Sequence, residues 1–357
     1  MKLESTEVGG LDRTLHATRV TFLCAALFLG VSACGGEKAL PSVATGGIEA
    51  TWELRDPAPL VRQEFSATSY EGRIFVMGNL VGDPPSATEM WWYDPDSREW
   101  SSAADLPVGY DHSALVALGD YIYAIGGYQG GALGSPVDDV FAYDPSGDRW
   151  TPVAPLPEPR GAIVCASSPE HILCAGGSGG VRGEPSAREI FVYKPDVDTW
   201  TQHVEELPTA RDHAGAAIVD DVFWVIGGRS EVLRAQPTMA TEGLMLNSGD
   251  WIIGADLPNP HSGGGLAVMD DQILVFGGEG PQPGVAGASR LRFSVFVETF
   301  IYQPTEDRWV EIDPLPTPVH GQAVAVVGRE VHSIGGGIEL DVPGSDLHQV
   351  LVFDPLP

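Results

Sequence analysis

From residue 66 onward the chain is written in short apolar runs that alternate with polar residues and stop at Gly, Asp or Pro. Ala114 to Leu118 is one such run. Gly119 and Asp120 interrupt it, and Tyr121 to Ile125 follows, ending at Gly126 and Gly127. A period of two places alternate side chains on one buried face, so each run predicts a β-strand, and a two-residue Gly-Asp break predicts a tight hairpin. The unit recurs. Tryptophan stands at positions 52, 100, 150, 200, 251 and 309, at intervals of 48, 50, 50, 51 and 58. A Gly-Gly pair closes an apolar run at Gly126, Gly176, Gly227, Gly277 and Gly335, and Gly78 with Asn79 holds that place in the first unit. Tyr93, Tyr143, Tyr193 and Tyr302 each precede a tryptophan by seven residues. The fourth unit departs, with Gly243 to Leu246 leading into Asn247 and no Tyr-x-Pro.

The segment from His112 through Gly126 and Gly127 to Tyr143 and Trp150 strongly resembles a Kelch repeat, and the resemblance covers residues 51–357 in six copies. It implies an all-β fold, a six-bladed β-propeller, with the repeated Trp and Tyr as inter-blade core. The physics agrees, because one small four-stranded sheet cannot bury both faces and six stacked radially can. The sixth unit stops at Phe353 and Asp354, before its tryptophan strand, while Trp52 has no strands ahead of it. The N-terminal segment is therefore expected as the outer strand of the last blade, closing the ring.

Composition narrows the alternatives. The 44 glycines and 29 prolines are too many for a helical bundle, and 43% hydrophobic residues are too many for a disordered chain. With 20 Lys and Arg against 49 Asp and Glu, the net charge is −29. Such a surface repels phosphates, so no nucleic-acid partner is expected, and membrane contact is expected only through the N-terminus.

Residues 20–31 run without a charge, behind Arg13 and Arg19 and ahead of Val31, Ser32, Ala33 and Cys34. That length suits a signal-peptide core and is short for a membrane span. The last four residues resemble a bacterial lipobox. This implies a signal over 1–33, a lipid on Cys34, a tether over 34–50 and the propeller over 51–357. The protein is then exported and anchored to the cell envelope, at the outer membrane in a Gram-negative cell. Cys165 and Cys174 remain as a pair in an oxidising compartment. The Gly119-Asp120 turn pairs Leu118 with Tyr121, and shifting that register by one unit of 50 sets Cys165 opposite Cys174. A disulfide is expected, with Pro169 in the turn the reason the register could slip.

With strands a to d counted from centre to rim, the d–a and b–c connections share one face, and it carries the long loops. In Kelch adaptor proteins, ligand contacts come from the d–a connection and from residues just after Gly-Gly. On this chain the first set holds Arg62, Glu64, Tyr110, His112, Arg160, Arg211, His213 and His261. The second holds Tyr128, Ser178, Arg229 and Glu279. Arg62, Arg160, Arg211 and Arg229, with Arg182, Arg234, Arg290 and Arg292 in the loops, can bind carboxylate or phosphate bidentately. His112, His213, His261 and His320 sit at different offsets without a matching carboxylate spacing, so no metal site and no cofactor are expected. No Ser-His-Asp signature, phosphate loop or Cys-x-x-Cys is present. The leading reading is a monomeric, non-enzymatic module that binds a protein, a peptide or an anionic glycan. The alternative is a carbohydrate-active enzyme of the sialic-acid mutarotase type, which some six-bladed bacterial Kelch proteins are.

Overall fold

The computed structural model describes residues 50–80, 87–131, 134–180, 186–230, 236–281 and 293–354. The expected signal, Cys34 and the tether up to residue 49 lie outside the described residues, as do Arg182, Arg234, Arg290 and Arg292.

Six four-stranded antiparallel sheets are arranged as blades around an axis. Blade two shows the pattern: Ala114–Leu118, Tyr121–Ile125, Val140–Asp144 and Arg149–Pro152 pair in that order, with Leu118 opposite Tyr121. The innermost strands of all six blades, from Ser66–Tyr70 in blade one to Ala323–Val327 in blade six, contact their neighbours in a closed cycle. The last blade is completed from the other end of the chain. Ala50–Leu54 lies beside His348–Phe353, with Trp52 opposite Leu351.

The core is six separate apolar seams, each between two blades. One packs Tyr123 and Ile125 of blade two against Ile172 and Phe191 of blade three. Another packs Ile74 and Val76 of blade one against Ala325 and Ile334 of blade six. At the rim the repeated aromatics act as clamps. Trp150 Nε1 donates to the Ala104 carbonyl of the preceding blade at 2.9 Å, and Asp148 accepts from both Tyr143 Oη and the Ala104 N–H at 2.7 Å. Trp200 with Asp198, and Trp309 with Asp307, repeat the clamp on Ala154 and Ala255. Blades four and six have leucine, Leu244 and Leu351, opposite Trp251 and Trp52, where blades one, two, three and five have tyrosine. Trp52 clamps the closing blade through the Asp313 carbonyl at 3.1 Å.

Cys165 and Cys174 face each other across the two inner strands of blade three and are joined as a disulfide, their Cα atoms 4.1 Å apart. Pro169 does not shift the register. The turn closes through Ser168 N–H donating to the His171 carbonyl at 2.9 Å, with no residue between them at positive φ.

Candidate functional site

Where each d–a connection enters the next innermost strand, the backbone turns left-handed. Glu64, His112, Ala162, His213, Gly263 and Gly321 occupy this one place in the six blades, with φ of 53, 54, 51, 53, 62 and 61°. Only glycine adopts such angles readily, and four of the six are not glycine. The compensation is visible. His112 N–H donates to the Glu64 carbonyl at 2.9 Å, Ala162 to His112 at 3.0 Å, His213 to Ala162 at 3.3 Å, Gly263 to His213 at 3.0 Å, Gly321 to Gly263 at 2.8 Å, and Glu64 to Gly321 at 2.8 Å. Six backbone hydrogen bonds form a closed ring around the channel mouth. Backbone strain held this way concentrates at functional positions.

The ring borders a cavity of about 280 Å³, whose wall continues down the innermost strands and includes Cys165. Its side chains are unevenly distributed. Glu64, His112 and His213 bring their functional atoms within 4.8 Å of one another, while Ala162, Gly263 and Gly321 contribute almost nothing. A Cβ built on Gly321 would lie 2.8 Å from Glu64 Oε1, so glycine there makes room for the carboxylate.

A second layer orients these groups. Each histidine is preceded by an aspartate, and Asp111 Oδ1 accepts from His112 Nδ1 at 2.5 Å while Asp212 Oδ1 accepts from His213 Nδ1. Both ring Nε2 atoms are thereby directed away from the aspartates. His112 Nε2 faces Glu64 Oε2 at 3.3 Å. His213 Nε2 faces Arg229 Nη2 at 2.9 Å, and Arg229 also reaches Asp212 and Glu279, each at 3.1 Å. The residue after each Gly-Gly bridges to the residue before the ring position, which is how Tyr128, Ser178, Arg229 and Glu279 reach this layer. Tyr128 stands edge-on to His112 at 5.6 Å. Gly161 makes room for it, since a Cβ there would lie 2.2 Å from the tyrosine ring. Burial alone would raise the Glu64 carboxyl, but His112, His213, His320 and Arg229 outweigh it and hold the pKa at about 2. The same balance, burial against His213 and Arg229, leaves the Asp212 carboxyl below its usual range. Burial and then Arg229 lower the His213 imidazole.

Five candidates lie away from the mouth, buried among partners of the propeller itself. Arg62, Tyr110, Arg160, Arg211 and His261 sit two residues before the ring position, at most 4% exposed. Most of them brace their own blade. Arg62 donates to the carbonyls of Gly78 and Glu89, Tyr110 Oη to Asp139 at 2.5 Å, Arg160 to Glu189 at 3.1 Å and Arg211 to Glu242. A guanidinium buried against its own carboxylate is not available to an incoming anion. His261 packs edge-on to Phe296, and burial drops its pKa to about 4. The sequence reading passed over Asp111 and Asp212, although an Asp-His pair at the same offset in blades two and four signalled them. It also found no carboxylate matching the histidines, whereas Glu64 occupies their equivalent place in blade one.

The Kelch motif matches residues 111–157, which is blade two with its leading connection. The Kelch-like protein terF of Aspergillus terreus is 28% identical over 321 residues, covering 86% of this chain and 56% of its own length. The fold is a six-bladed β-propeller, one blade of which matches the Kelch motif. Beta-scruin of Limulus polyphemus is 26% identical over 153 residues, 41% of this chain and 16% of the scruin. The chain thus spans little more than half the length of one of these relatives and much less of the other. Among solved structures, that titled "Structure of YjhT" superposes with a TM-score of 0.72 at 14% identity, covering 85% of this chain and all of that one, which is a likeness of fold.

Proposed function

We propose that this Kelch propeller is a binding module whose mouth face takes a protein or peptide segment. The observation that carries the reading is the asymmetric ring, with Glu64, His112 and His213 on a rigid backbone circle beside the small Ala162, Gly263 and Gly321. Rigid, blade-specific side chains around a concave opening are what selective recognition needs. Arg62, Arg160 and Arg211 are braced inside the blades, and among the described residues the mouth holds the carboxylates of Glu64, Asp111, Asp212 and Glu279 with the one guanidinium of Arg229. That balance favours a basic or hydroxyl-bearing side chain as the inserted group. Panning a peptide library and a glycan array against the protein tests the reading, with Glu64→Gln and His213→Gly as controls. Selected peptides should lose binding in both controls. Ligands that bind both variants as well as the parent would move the site elsewhere.

The Glu64–His112 pair favours one second reading, because an acid and a base in contact at a cavity mouth suit proton transfer at an anomeric centre. NMR-monitored anomer exchange of sugar acids, accelerated by the parent and not by Glu64→Gln, would establish it. For location we propose export and a lipid on Cys34, supported by the uncharged run 20–31 and the Cys165–Cys174 disulfide. Fatty-acid probe labelling that persists in Cys34→Ala would refute this.

A further inference from the structure

The ring also brings together the side chains of three residues from three different blades. His112 Nε2 and Glu64 Oε2 face each other at 3.3 Å. With the His112 Nδ1 proton directed to Asp111, two acceptors at this separation require a cation between them, a proton or a metal ion. A tetrahedral zinc ion with bonds of about 2.0–2.1 Å separates its donors by about 3.3 Å. His213 supplies a third donor within 4.8 Å of the other two. We propose that Glu64, His112 and His213 form a binding site for a borderline divalent metal ion of the zinc class at the mouth of the channel.

Three features of the surroundings support the assignment. Asp111 and Asp212 accept from the Nδ1 atoms, which fixes both imidazoles in the tautomer that presents Nε2 to a metal, the usual carboxylate–histidine–metal arrangement. Glu64 and Asp111 contact His112 while Asp212 and Glu279 hold Arg229, so four carboxylates stand against one guanidinium and a dication enters a negative pocket. The ring leaves space for a fourth ligand, since Ala162 lies between the two histidines and a Cβ on Gly263 would meet nothing nearer than 3.7 Å. Three protein donors with one open position is the form of a site that takes an exogenous ligand.

Arg229 is the competitor. Its Nη2 occupies the His213 lone pair at 2.9 Å, and metal binding must displace it. Asp212 and Glu279 still hold the other guanidinium nitrogens when that contact opens. Arg229 therefore sets the affinity of the site without blocking it.

The test is titration of the metal-stripped, untagged full chain in detergent with Zn²⁺ by calorimetry, and with Co²⁺ by visible absorption. One equivalent should bind, with the intense cobalt bands of a low-coordinate site. His112→Gly and His213→Gly suit the ring backbone, because blades five and six already have glycine there, and Glu64→Gln keeps the side-chain shape. Each should weaken binding by about 10-fold or more, and Asp111→Asn by about 10- to 100-fold. Arg229→Gln should tighten it. Circular dichroism and thermal melting identify variants that have not folded, and those are replaced by His112→Asn or His213→Asn. Absence of saturable one-equivalent binding overturns the proposal, as does binding unchanged in all three ligand variants. Peptide recognition that survives metal removal would leave the binding reading intact and show the two to be separate.

Discussion

Arg229 Nη2 lies 2.9 Å from His213 Nε2. A guanidinium can only donate, so Nε2 must accept and the ring proton must sit on Nδ1, where Asp212 receives it. His213 is therefore a neutral imidazole of fixed tautomer. Nitrogen-15 NMR of the metal-free protein should show the Nδ1–H form, persisting below the pH at which an exposed histidine protonates, because burial and then Arg229 both lower its pKa. An imidazolium signal at neutral pH would contradict this geometry.

Arg211 is 1% exposed and pairs with Glu242, which is 5% exposed. Arg211→Ala strands a buried carboxylate, with an expected cost of about 3–5 kcal/mol. Denaturant melts should show that loss, while peptides selected on the mouth should bind the folded fraction normally. A mild melt combined with lost binding would return Arg211 to the ligand site.

Ring closure rests on Ala50–Leu54. Trp52 packs edge-on to Phe276 at 5.3 Å and donates to the Asp313 carbonyl. It is half-buried, so Trp52→Ala should cost about 2–3 kcal/mol, below the range for a fully buried tryptophan. Deleting residues 50–54 should expose the edge of His348–Phe353 and cause aggregation. A deletion variant that melts like the parent would show that the blade does not need this strand.

His332 and His348 are buried side by side, Nδ1 to Nε2 at 2.9 Å, with Glu330 3.3 Å from His332 and Arg55 paired to Glu330 at 3.0 Å. Burial is the chief cause of their low pKa values, about 3 for His332 and about 4 for His348. The unfolded chain takes up these protons below about pH 6.5 and the folded protein does not. Their contribution to stability is complete above pH 6.5 and falls as the pH drops from there towards 4. Urea midpoints measured across that window should decline, and His332→Asn with His348→Gln should flatten the slope. An unchanged slope would assign the acid sensitivity to other groups.

The disulfide spans a sequence separation of only nine, so its entropic contribution should stay below the roughly 3 kcal/mol of a 15-residue loop. Thiol titration of the denatured, unreduced protein should detect neither Cys165 nor Cys174. Two reactive thiols from that hairpin would show that it is reduced.

The repeat determined the architecture. Apolar alternation, Gly-Gly, Tyr-x-Pro and Trp at about fifty-residue intervals report each residue's place within its own blade. Six copies with a displaced tryptophan at the N-terminus specify six blades and the closing strand. The same periodicity put Cys165 opposite Cys174. These features are local or repeat by translation, so a linear reading captures them. The site is different in kind. Glu64, His112 and His213 each stand 14 residues before Gly78, Gly126 and Gly227, but only the tertiary structure brings them together, because their convergence depends on left-handed turns linked into a ring across the axis. It also turned Arg62, Arg160 and Arg211 inward, two residues away, where a buried guanidinium needs partners that the same blade supplies. A shift of two residues along the strand entry separates a brace from a ligand-facing group, and the repeat pattern reads both as the same connection.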